Sequence, residues 1–187
     1  MAMRKIIAPL LGLLKYIAHR HFSRESFERA RAIAGPLAKS SAYSHDYLSK
    51  IRATKCIFIH IPKSGGTSMK HAFLDAGMYF EGHHSYAAYR LGLGEEVYDQ
   101  LFSFSTVRNP WDRLVSTFFF YKTVLKPPFS SRLLTEVHES LNKVESFSDF
   151  VMNWLNPYKV YFQGYFLPQS YYICKDQKIM LKYLSRF

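Results

Sequence analysis

The sequence predicts an α/β fold in which a parallel sheet is flanked by helices and carries an anion-binding loop. Three observations predict it. Residues 56–61, Cys-Ile-Phe-Ile-His-Ile, form a short apolar run rich in β-formers, as a buried parallel strand does. The loop Pro62-Lys63-Ser64-Gly65-Gly66-Thr67-Ser68 follows directly, and Met69, Ala72, Phe73 and Ala76 then recur at helical spacing. A second apolar run, residues 101–107, leads into Asn109-Pro110 and another helical pattern.

The first third of the chain stands apart by charge. The 187 residues carry 25 basic and 14 acidic side chains, a net +11. Residues 1–55 hold 11 basic and 3 acidic side chains, a net +8, which leaves +3 for residues 56–187. The later part is therefore an ordinary balanced domain, and no recognition motif argues for nucleic acid. With 48% hydrophobic and 17% aromatic residues, the chain is not disordered. We read residues 1–55 as a basic helical leader and linker, and residues 56–187 as the functional domain.

Within the leader, residues 6–18 are apolar but contain Lys15. A transmembrane helix takes about 17–25 apolar residues, so this stretch is expected to lie on an anionic membrane surface, with residues 1–22 as the contact. The plainer reading is a helix packed on the domain or a loosely ordered tail. Residues 23–34 read as a helix: Ser23 can cap it, Glu25 and Arg29 pair, and Gly35-Pro36 ends it. Residues 36–55 are polar and aperiodic, and read as linker. The two cysteines, Cys56 and Cys174, make no disulfide framework and read as small core residues.

The first loop has chemistry in every position. A strand–loop–helix order aims backbone N–H groups at an anion, helped by the helix dipole. Gly65 and Gly66 permit close approach, Thr67 and Ser68 add hydroxyl donors, and Lys63 adds a cation. It is not a Walker A loop, because the lysine precedes the glycines and no Gly-Lys-[Ser/Thr] occurs. That argues against a P-loop kinase.

The second motif is Arg108-Asn109-Pro110-Trp111-Asp112-Arg113-Leu114-Val115-Ser116. Asn109 suits an N-cap and Pro110 a first helical residue. Trp111, Leu114, Val115, Phe118 and Phe119 are expected to form the buried face. Arg108 at the strand's carboxyl end, with Ser116 on the following helix, would grip a second phosphate, since ligands of open α/β sheets bind at that end. Arg113 and Ser116, three apart, share a face different from the apolar one; if Arg113 is only a solvated residue, it pairs with Asp112 or another neighbour.

Together, residues 58–68 and 107–116 resemble the carbohydrate-type sulfotransferase family of Golgi and bacterial enzymes, over roughly residues 56–187. The resemblance implies a P-loop-like fold of sulfotransferase type. It also implies a PAPS-dependent enzyme (PAPS is 3′-phosphoadenosine 5′-phosphosulfate) that moves a sulfuryl group to a carbohydrate or other hydroxyl by in-line displacement, without a metal. It implies that Lys63, Ser64, Gly65, Gly66, Thr67 and Ser68 hold the 5′-phosphosulfate and that Arg108 and Ser116 hold the 3′-phosphate. Lys63 would also act catalytically at the leaving oxygen. The family often places a histidine followed by small residues between the two motifs, and His84-Ser85-Tyr86-Ala87-Ala88 matches it. His84 is thus the expected base, with His83 the near alternative and Glu81 the third.

Three further expectations complete the picture. Phe147, Phe150, Val151, Trp154 and Leu155 mark an amphipathic core helix. Residues 171–174 and 179–184 would form a hairpin after Pro168-Gln169-Ser170. Lys182 and Ser185 stand where the family usually has an acidic residue and a glycine, and the family continues into further helices. The expectation is a C-terminally short member, with a non-catalytic nucleotide- or glycan-binding remnant as the alternative. Lacking an obvious signal anchor, the chain is expected in the cytoplasm, resting on a membrane.

Overall fold

The computed structural model describes residues 45–74, 82–129, 132–156, 159–160 and 164–187. The leader's expected helix and membrane contact, and Glu81, lie outside the described residues. Among the described residues no helix is long and apolar enough to cross a membrane. The chain divides into two compact units, residues 1–107 with 168–187, and residues 108–167.

The first unit opens with helix α1 (His45–Thr54). This corrects the linker reading for residues 45–54. Tyr47 and Ile51, four apart, are both fully buried, and the Tyr47 hydroxyl shares a 2.7 Å hydrogen bond with that of Tyr89. Tyr47, Leu48 and Ile51 span little more than one helical turn in a polar stretch, too short a run to show a period, so the partners of the buried pair reveal the helix.

Strand β1 (Cys56–Phe58) pairs in parallel with β2 (Phe102–Val107). The ladder is shorter than the apolar run, yet the Ile59 N–H still donates to the Phe104 carbonyl at 2.8 Å. Ile59 and Ile61 are fully buried. Helix α2 (Gly66–Leu74) follows the loop. Its Met69 and Phe73 pack on Phe58 and Phe104, with the Phe73 and Phe104 rings edge to face at 5.6 Å. Helices α3 (Tyr86–Leu93) and α4 (Glu95–Gln100) lead into β2. Near them, Arg90 pairs with Glu95 and Asp99.

The last twenty residues return to this unit. Helix α8 (Gln169–Ile173) buries Tyr172 and Ile173. Strands β3 (Cys174–Lys175) and β4 (Lys178–Ile179) form the hairpin, shorter than expected. Its two-residue turn places Asp176 and Gln177 at φ 46° and 64°, the left-handed pair that a tight hairpin requires. The remainder of the expected second arm is not part of the hairpin. Its last two residues, Tyr183 and Leu184, open β5 (Tyr183–Arg186) instead, which adds in parallel to β2. The sheet order is β1-β2-β5, so β2 is the central strand, and its open edge takes the main-chain groups that a longer hairpin would have used. Ser103, Ser105 and Thr106 are buried in it, a polar content that a central strand tolerates only when every hydroxyl is satisfied.

The second unit is helical. Helix α5 (Pro110–Phe119) continues into a π turn over Phe120–Val124, and α7 (Phe147–Asp149) into another over Phe150–Trp154. Between them lies α6 (Arg132–Asn142). The core gathers Phe118, Tyr121, Leu141, Phe150, Trp154 and Phe166. The expected core helix is there with Phe150 and Trp154 inside, although it is mostly π turn. The Lys122 ammonium donates to the carbonyls of Leu141, Asn142 and Val144 at 3.5, 3.2 and 2.8 Å. A cation there satisfies the last carbonyls of α6.

The face of α5 differs from its expected one. Trp111 is 74% exposed and Phe119 also faces out, whereas Arg113 is 7% exposed and Thr117 and Phe118 are buried. The Arg113 guanidinium donates to the Tyr165 carbonyl at 2.8 Å. Arg113 is therefore not on a solvated face. Burying a guanidinium requires such acceptors, and this one lies 52 residues away in sequence.

Candidate active site

The loop between β1 and α2 is a built structure. Lys63 and Gly65 take left-handed backbone, with φ 63° and 82°. Glycine does so freely, but a lysine there is strained by about 1–2 kcal/mol. Ser64 between them is fully buried. Its hydroxyl donates to the Ile61 carbonyl at 2.8 Å, and its own carbonyl accepts from the Thr106 hydroxyl at 2.6 Å. One residue earlier on β2, the Ser105 hydroxyl donates to the Ile59 carbonyl at 2.7 Å. The buried hydroxyls of the central strand thus hold the loop from beneath.

This arrangement changes the part played by Ser64. It was expected among the anion ligands, but its hydroxyl is spent inside the loop. Its work is to shape the turn that exposes its neighbours. Thr67 and Ser68 are exposed on the first turn of α2, and Lys63 is half-buried. The Met69 N–H donates to the Gly65 carbonyl at 3.1 Å, so the helical ladder begins there. Gly66, Thr67 and Ser68 precede it and have no intrahelical acceptor for their N–H groups. Both glycines are needed for space as well. A methyl group on Gly65 would strike the Phe187 ring, and one on Gly66 the imidazole of His60.

Thr106 offers a direct test. Thr106→Val keeps the shape and leaves the buried Ser64 carbonyl without its donor, a loss of about 1–3 kcal/mol. The midpoint of urea unfolding is expected to fall accordingly, and Thr106→Ser to restore it. An unchanged midpoint in Thr106→Val would show that the hydroxyl does not hold the loop.

The candidate histidines are His60, His83 and His84. His60, read from sequence as a residue beneath the loop, is partly buried against Gly66. Burial, reinforced by the nearby Lys70 ammonium, pushes its pKa down to about 4. The ring is therefore neutral at neutral pH. His83 stacks obliquely on it, ring centroids 4.3 Å apart, and the His83 Nδ1 lies 3.2 Å from the His60 carbonyl oxygen. His84 takes a different direction. Its ring meets Tyr89 edge to face at 5.7 Å, and its Nε2 lies over Gly82, 2.8 Å from where a Cβ would stand. Ser85 next to it caps α3, its hydroxyl accepting from the Ala88 N–H at 3.3 Å. His84 is thus held at the entrance of a capped helix.

The second motif folds locally as expected. The Asn109 side chain caps α5, accepting from the Trp111 N–H at 2.9 Å, and Pro110 is the first helical residue. Arg108, directly after β2, and Ser116, two turns into α5, are both half-buried. They belong to the second unit, whereas the loop and the histidines belong to the first.

Two participants escaped the sequence reading. Thr106 carried a signal, since a hydroxyl in a buried strand needs an acceptor. Phe187 carried none, because its meeting with Gly65 depends on β5 joining the sheet, where the Phe187 N–H donates to the Val107 carbonyl at 2.7 Å. Cys56 and Cys174 are partly buried free thiols, both pushed up in pKa by burial.

Comparison with known proteins adds one finding. A family model described as the sulfotransferase family matches residues 51–187. The match begins inside α1, in agreement with the packing of that helix. Among curated proteins none matches the chain, and among solved structures none does.

Proposed function

Because this chain belongs to the sulfotransferase family, we propose that it moves the sulfuryl group of PAPS to a carbohydrate hydroxyl. The observation that carries this reading is the cradle at the start of α2. Two loop glycines, one of them left-handed, three amide groups ahead of the helical ladder and two exposed hydroxyls suit a compact anion. Bound PAPS would supply the activated sulfuryl group and a second anionic end, the 3′-phosphate.

The residues then divide the work. Gly65, Gly66, Thr67 and Ser68 would hold the phosphosulfate through N–H and hydroxyl donors, on the turn shaped by Ser64. Lys63 would place its ammonium where negative charge grows on the leaving oxygen, a preorganised field of the kind that dominates many transfer reactions. Arg108 and Ser116 would hold the 3′-phosphate, the guanidinium with two parallel hydrogen bonds. His84 would take the proton of the acceptor hydroxyl, a contribution of about 10²–10⁴ in rate. The reading requires no metal.

The test uses purified full chain, PAPS carrying labelled sulfate, and a panel of glycans. Label transfer that disappears in Lys63→Ala supports the reading. Donor binding with no transfer to any acceptor would leave a non-catalytic binding protein, and ATP-dependent phosphate transfer would overturn the sulfotransferase reading. His84→Ala is expected to lower turnover by about 10²-fold with donor affinity nearly unchanged. Full activity in that variant removes His84 as the base. Arg108→Ala is expected to weaken binding of 3′-phosphoadenosine 5′-phosphate far more than binding of adenosine 5′-phosphate, and equal losses would remove the 3′-phosphate role.

A further inference from the structure

The motifs leave His60 without assigned work and give His83 only the second place as base. Yet the His60 ring stands against Gly66, the first residue of α2, closely enough to exclude any side chain there. The same ring meets His83, with ring centroids 4.3 Å apart and the His83 Nδ1 3.2 Å from the His60 carbonyl. Phe58 stacks on the same imidazole at 5.8 Å, and Phe58 belongs to the packed cluster under α2. The start of α2 therefore rests on a continuous series of rings, Phe58, His60 and His83.

We propose that His60 and His83 are positioning residues for the donor, a two-ring brace that fixes the N–H groups of Gly66, Thr67 and Ser68 in the direction of the phosphosulfate. This rests on the donor reading above and extends it. It also separates the adjacent histidines: His83 serves donor binding through His60, while His84, turned toward Gly82 and Tyr89, serves the acceptor.

The physical reason is cost of misalignment. Backbone N–H groups cannot adjust individually, since they move only with the helix that carries them. A shift of about 1 Å in such a binding element can cost 10²-fold in function. A flat ring packed on a glycine sets that position more firmly than a flexible side chain, because few rotamers fit the contact. The neutral His60 imidazole also suits the place, since a cation beneath a helix N-terminus would oppose its dipole.

The experiment measures binding of 3′-phosphoadenosine 5′-phosphate to the full chain by calorimetry, together with donor KM and kcat. His60→Ala and His83→Ala are each expected to weaken binding about tenfold and to raise the donor KM in parallel, with kcat changed far less. The double variant is expected to be little worse than either single one, as for two parts of one brace. His60→Phe, which keeps a flat ring against Gly66, is expected to recover most of the affinity. If His60→Ala fails to fold, His83→Ala and His60→Phe carry the test. Unchanged donor affinity in His83→Ala, independent multiplicative losses, or a loss confined to kcat would each overturn the brace. Wild-type protein that binds no such nucleotide would overturn the donor reading itself, a distinct result.

Discussion

Lys63→Gly is expected to fold as stably as the wild type, or slightly more so, while losing about 10²–10³-fold in sulfuryl transfer. The two halves of this result have separate causes. Lys63 sits at φ 63°, where its Cβ crowds the backbone at a cost of about 1–2 kcal/mol. Glycine removes that strain but adds about 0.5–1 kcal/mol of chain entropy to the unfolded state. The balance is small and favours the folded variant. The transfer loss comes from removing the ammonium that would face the leaving oxygen. Lys63→Ala keeps the strain and loses the same charge, so it should match the glycine variant in activity without any gain in melting temperature. A backbone conformation unfavourable to lysine persists where the surrounding structure imposes it, as at functional sites. Measured melting curves and single-turnover transfer rates decide the matter. Retained transfer in Lys63→Gly would remove the lysine from the mechanism, and a marked fall in melting temperature would show that its stem has a packing role.

Phe150→Ala is expected to cost about 3–5 kcal/mol of stability, the largest effect of any single truncation considered. Phe150 is fully buried. Its ring lies 5.0 Å from Phe118, 5.3 Å from Trp154, and 5.8 Å from both Phe147 and Phe166. Four aromatic neighbours in one cluster are too rigid to close over the void, so the cavity term adds to the lost burial. The readout is Trp154 fluorescence during guanidinium unfolding, in a Trp111→Phe background that removes the exposed indole. Phe150→Leu should lose much less, since most of the volume is kept. Equal midpoints for wild type and Phe150→Ala would mean that this ring cluster is not the core of the second unit.

Much of the local fold around the candidate site was legible because its signals are local. The loop of residues 62–68 announces itself through glycines, hydroxyls and a lysine placed between an apolar run and a helical pattern. Asn109-Pro110 announces a helix start in the same way, and the side chain of Asn109 caps it as expected. Two elements were misread because their causes are distant. On α5 both faces carry apolar residues, so apolar spacing did not distinguish Trp111 from Arg113. The deciding contact is the Tyr165 carbonyl on Arg113. In the polar stretch before β1, helix α1 depends on Tyr47 finding Tyr89, 42 residues away.

By itself, then, the sequence determined the strand–loop–helix unit and the second capped helix, and it proposed the residues that would grip an anion. Those features follow from backbone freedom, capping and hydrogen-bond chemistry within a few neighbouring residues. Only the tertiary structure decided that Ser64 turns inward, that β2 holds the loop through Thr106, that β5 brings Phe187 onto Gly65, and that His60 and His83 meet beside Gly66. Each of those depends on contacts between residues far apart in the chain. Such contacts are set by how the sheet and its helices fill space together, and no local pattern encodes that.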